Sequence, residues 1–135
     1  MALYRELTGS ERERIRTNVA LVSNLLSGNF TFTALQGLYD SLPTGPAPAA
    51  EAVDVVGYGF GELLSAAPGL ACAWMIDDEY GDDPAIVVAG RSLGCTPLSM
   101  IRNRIDDQEA WDLSELASAT MATLRFHAVN AGETR

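Results

Sequence analysis

The sequence predicts one α+β domain, with helices packed on one face of a three-stranded antiparallel meander. Three observations carry that prediction. Apolar residues recur at helical spacing before residue 66 and after residue 97, and at a period of two in between. The connectors between the central apolar runs, Asp82-Asp83-Pro84 and Gly90-Arg91, are too short for the crossover that parallel neighbours require. The chain of 135 residues is long enough to bury one core without staples, so residues 1–135 are read as a single domain.

The N-terminal helix is expected over about 10–26. Ser10 and Glu13 fit the S-x-x-E capping box, and Ile15, Val19, Val22 and Leu26 follow on one face, with Leu21 and Leu25 widening the stripe. Arg12, Arg14 and Arg16 are expected to point mostly to water. Ser27-Gly28-Asn29 ends the helix with residues that tolerate left-handed backbone. A second helix over 31–42 is expected to turn Phe32, Leu35, Leu38, Tyr39 and Leu42 inward. Pro43-Thr44-Gly45-Pro46-Ala47-Pro48 then reads as a loop within the domain, since each proline disfavours helix in the residue before it.

A third helix is expected over 50–66, with Val53, Val56, Phe60 and Leu63 on one face. Gly57, Gly59 and Gly61 each cost it about 0.5–1 kcal/mol relative to alanine. Gly57 and Gly61 share one side, so close approach of a neighbouring element there would compensate, whereas Gly59 is expected to face elsewhere. After Pro68-Gly69, strand one places Leu70, Cys72, Trp74 and Ile76 on one face. Strand two is expected over Ala85 to Ala89 and strand three over Leu93 to Thr96. Thr96-Pro97 opens a short helix with Leu98, Ile101 and Ile105 inward. Asp112 opens a final helix to about Asn130, with Leu113, Leu116, Met121, Leu124 and Val129 as its apolar contacts.

Composition excludes more than it assigns. The net charge is -9, and no lysine is present. Residues 51–90 hold eight acids and no basic residue. Such a surface repels phosphates and anionic lipid, so neither nucleic acid nor membrane is expected as a partner. No apolar run approaches the ~20 residues of a membrane span, and the start Met-Ala-Leu-Tyr-Arg-Glu has no secretory character. Two cysteines are too few for a disulfide scaffold or, alone, a zinc site, so no metal or cofactor is expected and a reducing, cytoplasmic setting is the simplest reading.

No motif specifies a chemistry. Gly57-Tyr58-Gly59-Phe60-Gly61 is neither a dinucleotide nor a phosphate loop, because no strand precedes it and no lysine follows. Asp77-Asp78-Glu79-Tyr80-Gly81-Asp82-Asp83 lacks the EF-hand pattern and reads as a solvated hairpin tip, suited at most to steering a basic partner. His127, the only histidine, sits near the end of a helix, where the helix dipole accounts for it. Cys72 and Cys95 read as small buried hydrophobes. Arg102 and Arg104 could grip an anion, but pairing with Asp106 and Asp107 is the simpler use.

Several of these residues together resemble a bacterial family known only as domain of unknown function 3806. They are Leu35-Gln36-x-Leu38-x-Asp40, Gly57 and Gly61, Gly69-Leu70-x-x-x-Trp74, Tyr80-Gly81, and Pro97-Leu98-Ser99-Met100-Ile101 with Arg102 and Arg104. The resemblance covers about residues 30–115, and Cys95-Thr96 departs from the bulky apolar residue expected there. It implies a fold and no established activity. With no catalytic constellation in the sequence, the expectation is a non-enzymatic binding or protein-interaction domain, of inhibitory or immunity type by analogy, with a homo-oligomer also compatible. Asp78 and Asp82 would meet a basic partner. The alternative is a small-molecule site or enzyme with a pocket between the glycine-bearing helix and the sheet, near Trp74, Cys95 and Arg102.

Overall fold

In a computed structural model of the chain, which describes residues 2–41, 50–77, 82–88, 93–106 and 112–133, the fold is α+β. Strand β1 (Ala2–Arg5) precedes helices α1 (Gly9–Leu25), α2 (Phe32–Asp40) and α3 (Ala50–Ser65). Strands β2 (Leu70–Asp77), β3 (Asp83–Val88) and β4 (Gly94–Cys95) follow, then α4 (Pro97–Asp106) and α5 (Leu113–Glu133). The sheet is antiparallel throughout in the order β1-β2-β3-β4, four strands where three were expected. The extra one is β1, paired from Ala2↔Asp77 to Arg5↔Trp74.

The cap of helix α1 lies two residues earlier than expected. It is Thr8, not Ser10: the Thr8 side chain accepts from the Glu11 amide at 3.3 Å, and Glu11 accepts from the Thr8 amide at 2.8 Å. Thr31 caps α2 in the same manner, accepting from the Ala34 amide at 3.1 Å. The Asp112 carboxylate, as expected, accepts from the Glu115 amide at 2.9 Å at the start of α5.

The core lies between α3 and its neighbours. Val22, Leu35, Val56, Phe60, Leu64, Ile101 and Leu113 are fully buried, and Ile86 joins them from the sheet. Phe60 meets Phe32 edge-on with centroids 6.2 Å apart. The glycines explain how α3 is gripped from two sides. A Cβ on Gly57 would lie 2.9 Å from the Leu98 Cα, and one on Gly61 would lie 3.2 Å from the Pro97 Cγ, so α4 approaches that face closely. Gly59 faces elsewhere, as expected, but that side is gripped too: its Cβ would lie 2.8 Å from Leu35 Cδ1 and 3.0 Å from Val22 Cγ1.

Two further contacts shape the sheet. Gly94 pairs with Val87 so tightly that a Cβ there would strike the Ile86 carbonyl oxygen. The Tyr4 hydroxyl on β1 donates to the Gly94 carbonyl on β4 at 3.2 Å. Three strand spacings in a flat sheet amount to about 14 Å, more than a tyrosine side chain spans, so the bond closes because the sheet curves. Among the described residues, no helix is long and apolar enough to cross a membrane.

Candidate functional site

Charged and aromatic side chains from six elements gather at the end of the sheet where β1 meets β2. The shortness of β1 places Arg5 beside the first turn of α1, where it grips Glu11 with two parallel bonds of 2.7 and 2.6 Å. The hydrogen bond from Arg5 is the main reason the Glu11 carboxyl is lowered to about 2, helped by the Thr8 amide. One carboxylate thus completes the capping box and anchors β1. Arg5 also lies 5.9 Å from the centroid of Trp74, its partner across the β1–β2 ladder, and Arg14 of α1 lies 5.9 Å from the same indole. Arg14 is therefore not simply solvated, as its place among the α1 arginines implied.

Across the hairpin, Ser99 of α4 donates to Asp83 at 3.0 Å. Burial raises the Asp83 carboxyl, opposed by the Ser99 hydrogen bond and the charges of Arg102 and Arg14. Arg102 is held by Asp54 of α3, with Nε and Nη2 each 2.8 Å from Oδ1. The pair bridges α3 and α4 beside the Gly57–Leu98 contact. Asp106 and Asp107, the partners expected from sequence, lie outside the residues whose side chains are described.

The residues singled out from sequence are thus divided. Trp74 and Arg102 belong to this cluster, and exposed Asp82 stands next to it: the Arg5 pKa is raised mainly by the hydrogen bond to Glu11, with a further contribution from the charge of Asp82. Asp78 lies outside the described residues. Arg104 is half-buried on α4, where Nη1 donates to the Met100 carbonyl at 3.4 Å. Cys95 sits on β4, its thiol pushed up to about 11 by burial. Cys72 and Cys95 flank Ile86 from opposite strands, two strand spacings apart, which is too far for a disulfide. His127 is exposed on α5 and meets only the Phe126 ring edge among the described ring contacts. Among the described residues, no three His, Cys, Asp or Glu side chains are grouped to hold a metal ion.

Sequence reasoning missed Arg5, Arg14, Asp54, Asp83 and Ser99. Arg5 and Asp54 carry no local signal, because their roles depend on partners brought up by the tertiary fold. Asp83 was hidden inside the acidic run.

A separate cavity does lie between α3 and the sheet, lined by Ile15, Tyr58, Gly61, Cys72, Ile86 and Leu98. The space open to water centres is about 20 Å³, room for a single water and far below the roughly 300 Å³ of a small-molecule site. The Tyr58 hydroxyl beside it is buried and has no hydrogen-bond partner among the described residues.

No curated protein and no solved structure matches the chain. The family described as Domain of unknown function (DUF3806) matches residues 33–116, from the second residue of α2 to the first turn of α5. With that match spanning most of the chain and both faces of the glycine-bearing helix, the protein belongs to the DUF3806 family.

Proposed function

We propose that the domain is a non-enzymatic protein-binding module whose recognition surface is the charged end of the sheet. The observation that carries this reading is where the polar side chains gather. Arg5, Arg14, Asp82, Asp83 and Arg102 assemble around the buried Trp74 ring, while the cavity under α3 has room for only one water. Arginine is a residue from which protein interfaces draw much of their binding energy, and three arginines stand here on one side of the buried Trp74. An acidic segment beside them favours a partner with a basic surface, as an inhibitory or immunity-type protein would meet. The small-molecule alternative would need the α3 cavity to open severalfold.

Affinity capture with the wild type and with an Asp82→Arg, Arg102→Glu variant tests the proposal. A partner bound directly by the wild type, and tenfold or more weakly by the variant in a purified titration, is expected. A metabolite that raises the melting temperature equally in both proteins, with no such partner, would favour the alternative.

A further inference from the structure

The side chains around Trp74 are not equally anchored. Arg5 lies against the ring and is fixed by its two bonds to Glu11. Arg14 lies at the same distance from the same ring, but among the described residues no hydrogen bond or ion pair holds its guanidinium. Asp83 is the matching anion. Its half-buried carboxylate accepts from the neutral Ser99 hydroxyl at 3.0 Å and forms no ion pair among the described residues. The charged side chains that face it are Arg102 of α4 and Arg14 of α1, which attract it, and Asp54 of α3, which repels it. Its neighbour across the ladder is Met75, which carries no charge, and Asp82 beside it in the chain is exposed. Arg102 is committed to Asp54 through two contacts of 2.8 Å, which leaves Arg14 to answer the charge of Asp83.

We propose that Asp83 works as a proton-operated latch on Trp74: its negative charge keeps Arg14 over the indole, and its protonation lets Arg14 swing into solvent and uncover the ring. The ring is 6% exposed with Arg14 in place, and Arg14 has an exposed position on α1 from which to leave. Protonation occurs in the order the latch needs. Burial is the main reason the Asp83 carboxyl lies above its ordinary value, with Asp54 adding to it against Ser99, Arg102 and Arg14. The Glu11 carboxyl is instead lowered to about 2, mainly by its hydrogen bond from Arg5. As the pH falls, Asp83 takes up its proton while Glu11 still holds Arg5, so β1 stays anchored when Arg14 departs. The latch is closed above the Asp83 midpoint and open below it. It is a property of the free chain and does not rest on the binding proposed above.

NMR of the full chain tests it. In the wild type the Asp83 carboxyl carbon should titrate with a midpoint above 3.8. Nuclear Overhauser contacts between the Arg14 side chain and the Trp74 ring should fall about twofold or more with that same midpoint. Asp83→Asn should lack those contacts at neutral pH, where the wild type shows them. Arg14→Gln should raise the Asp83 midpoint, because a cation that favours the charged form is gone. A wild-type midpoint at or below 3.8 overturns the proposal. So do Arg14–Trp74 contacts that persist through the titration of Asp83 or in Asp83→Asn, or an Asp83 midpoint that Arg14→Gln leaves where it was.

Discussion

Replacing the three glycines of α3 by alanine, one at a time, reads out how closely each face of the helix is approached. Every substitution gains about 0.5–1 kcal/mol because alanine suits a helix interior better. Against that gain stands the cost of accommodating a methyl, about 1–3 kcal/mol where it overpacks. At Gly57 the nearest obstacle is the Leu98 Cα at 2.9 Å, a backbone atom that moves only if α4 moves. The upper end of the range applies, leaving a net loss of about 1–2 kcal/mol. At Gly59 the obstacles are the tips of Leu35 and Val22, at 2.8 and 3.0 Å. Both residues are fully buried and have little room to turn, so a net loss of about 0.5–1.5 kcal/mol follows. At Gly61 the Pro97 ring is 3.2 Å away and yields by a few tenths of an ångström, so alanine is neutral or slightly stabilising. Urea unfolding with a common slope gives the three values directly. A cycle of Gly59→Ala with Leu35→Ala should also show about 0.5–3 kcal/mol of favourable coupling, because the truncated leucine makes way for the methyl. Stabilisation by Gly57→Ala, or Gly61→Ala as the most damaging of the three, would refute the close approach of α4.

Three other outcomes follow from the geometry. Thr8→Ala should cost about 0.5–2 kcal/mol in chemical unfolding while Ser10→Ala stays within about 0.5 kcal/mol, and equal costs would return the cap to Ser10. The Glu11 carboxyl is lowered from 4.5 to about 2, so its contribution is complete above pH 4.5 and disappears as the pH falls toward 2; Glu11→Gln should flatten stability against pH in that window, and an unchanged acid limb would count against the Arg5–Glu11 pairing. Tyr58→Phe removes a buried hydroxyl that has no partner among the described residues, so it should be neutral or stabilise by up to about 1 kcal/mol in thermal unfolding; a larger loss would mean that the hydroxyl is well bonded.

How far the sequence reveals this fold depends on how local each signal is. The helices α2 to α5 and the β2–β3 hairpin follow from periodicity and punctuation within a few residues, and their bounds fall within one to three residues of expectation. The cap of α1 was misplaced because Thr8-x-x-Glu11 and Ser10-x-x-Glu13 satisfy the same pattern. What decides between them is Arg5, which engages Glu11. Strand β1 was missed because four residues carry too little alternation to read, and its partner lies far along the chain. The wheel separates Gly59 from Gly57 and Gly61, but it cannot show that α1 and α2 press on that side as α4 does on the other. Of the candidate site, Trp74 and Arg102 were legible as unusual residues in structured positions. Their surroundings were not, since Arg5, Arg14 and Asp54 meet them only through long-range packing.

The pairing of β1 with the far half of β2 also constrains the order in which the chain can fold. Its partners lie about seventy residues downstream, and its tyrosine bonds a strand two further on. At about 5–20 residues per second of synthesis, β1 waits several seconds for the strand it pairs with. The hairpin of β2 and β3 closes a far shorter loop and can form first, so β1 joins a template already in place. The first strand therefore adds its contacts late and opens early. Its backbone amides should be the first in the sheet to exchange with solvent, well before global unfolding.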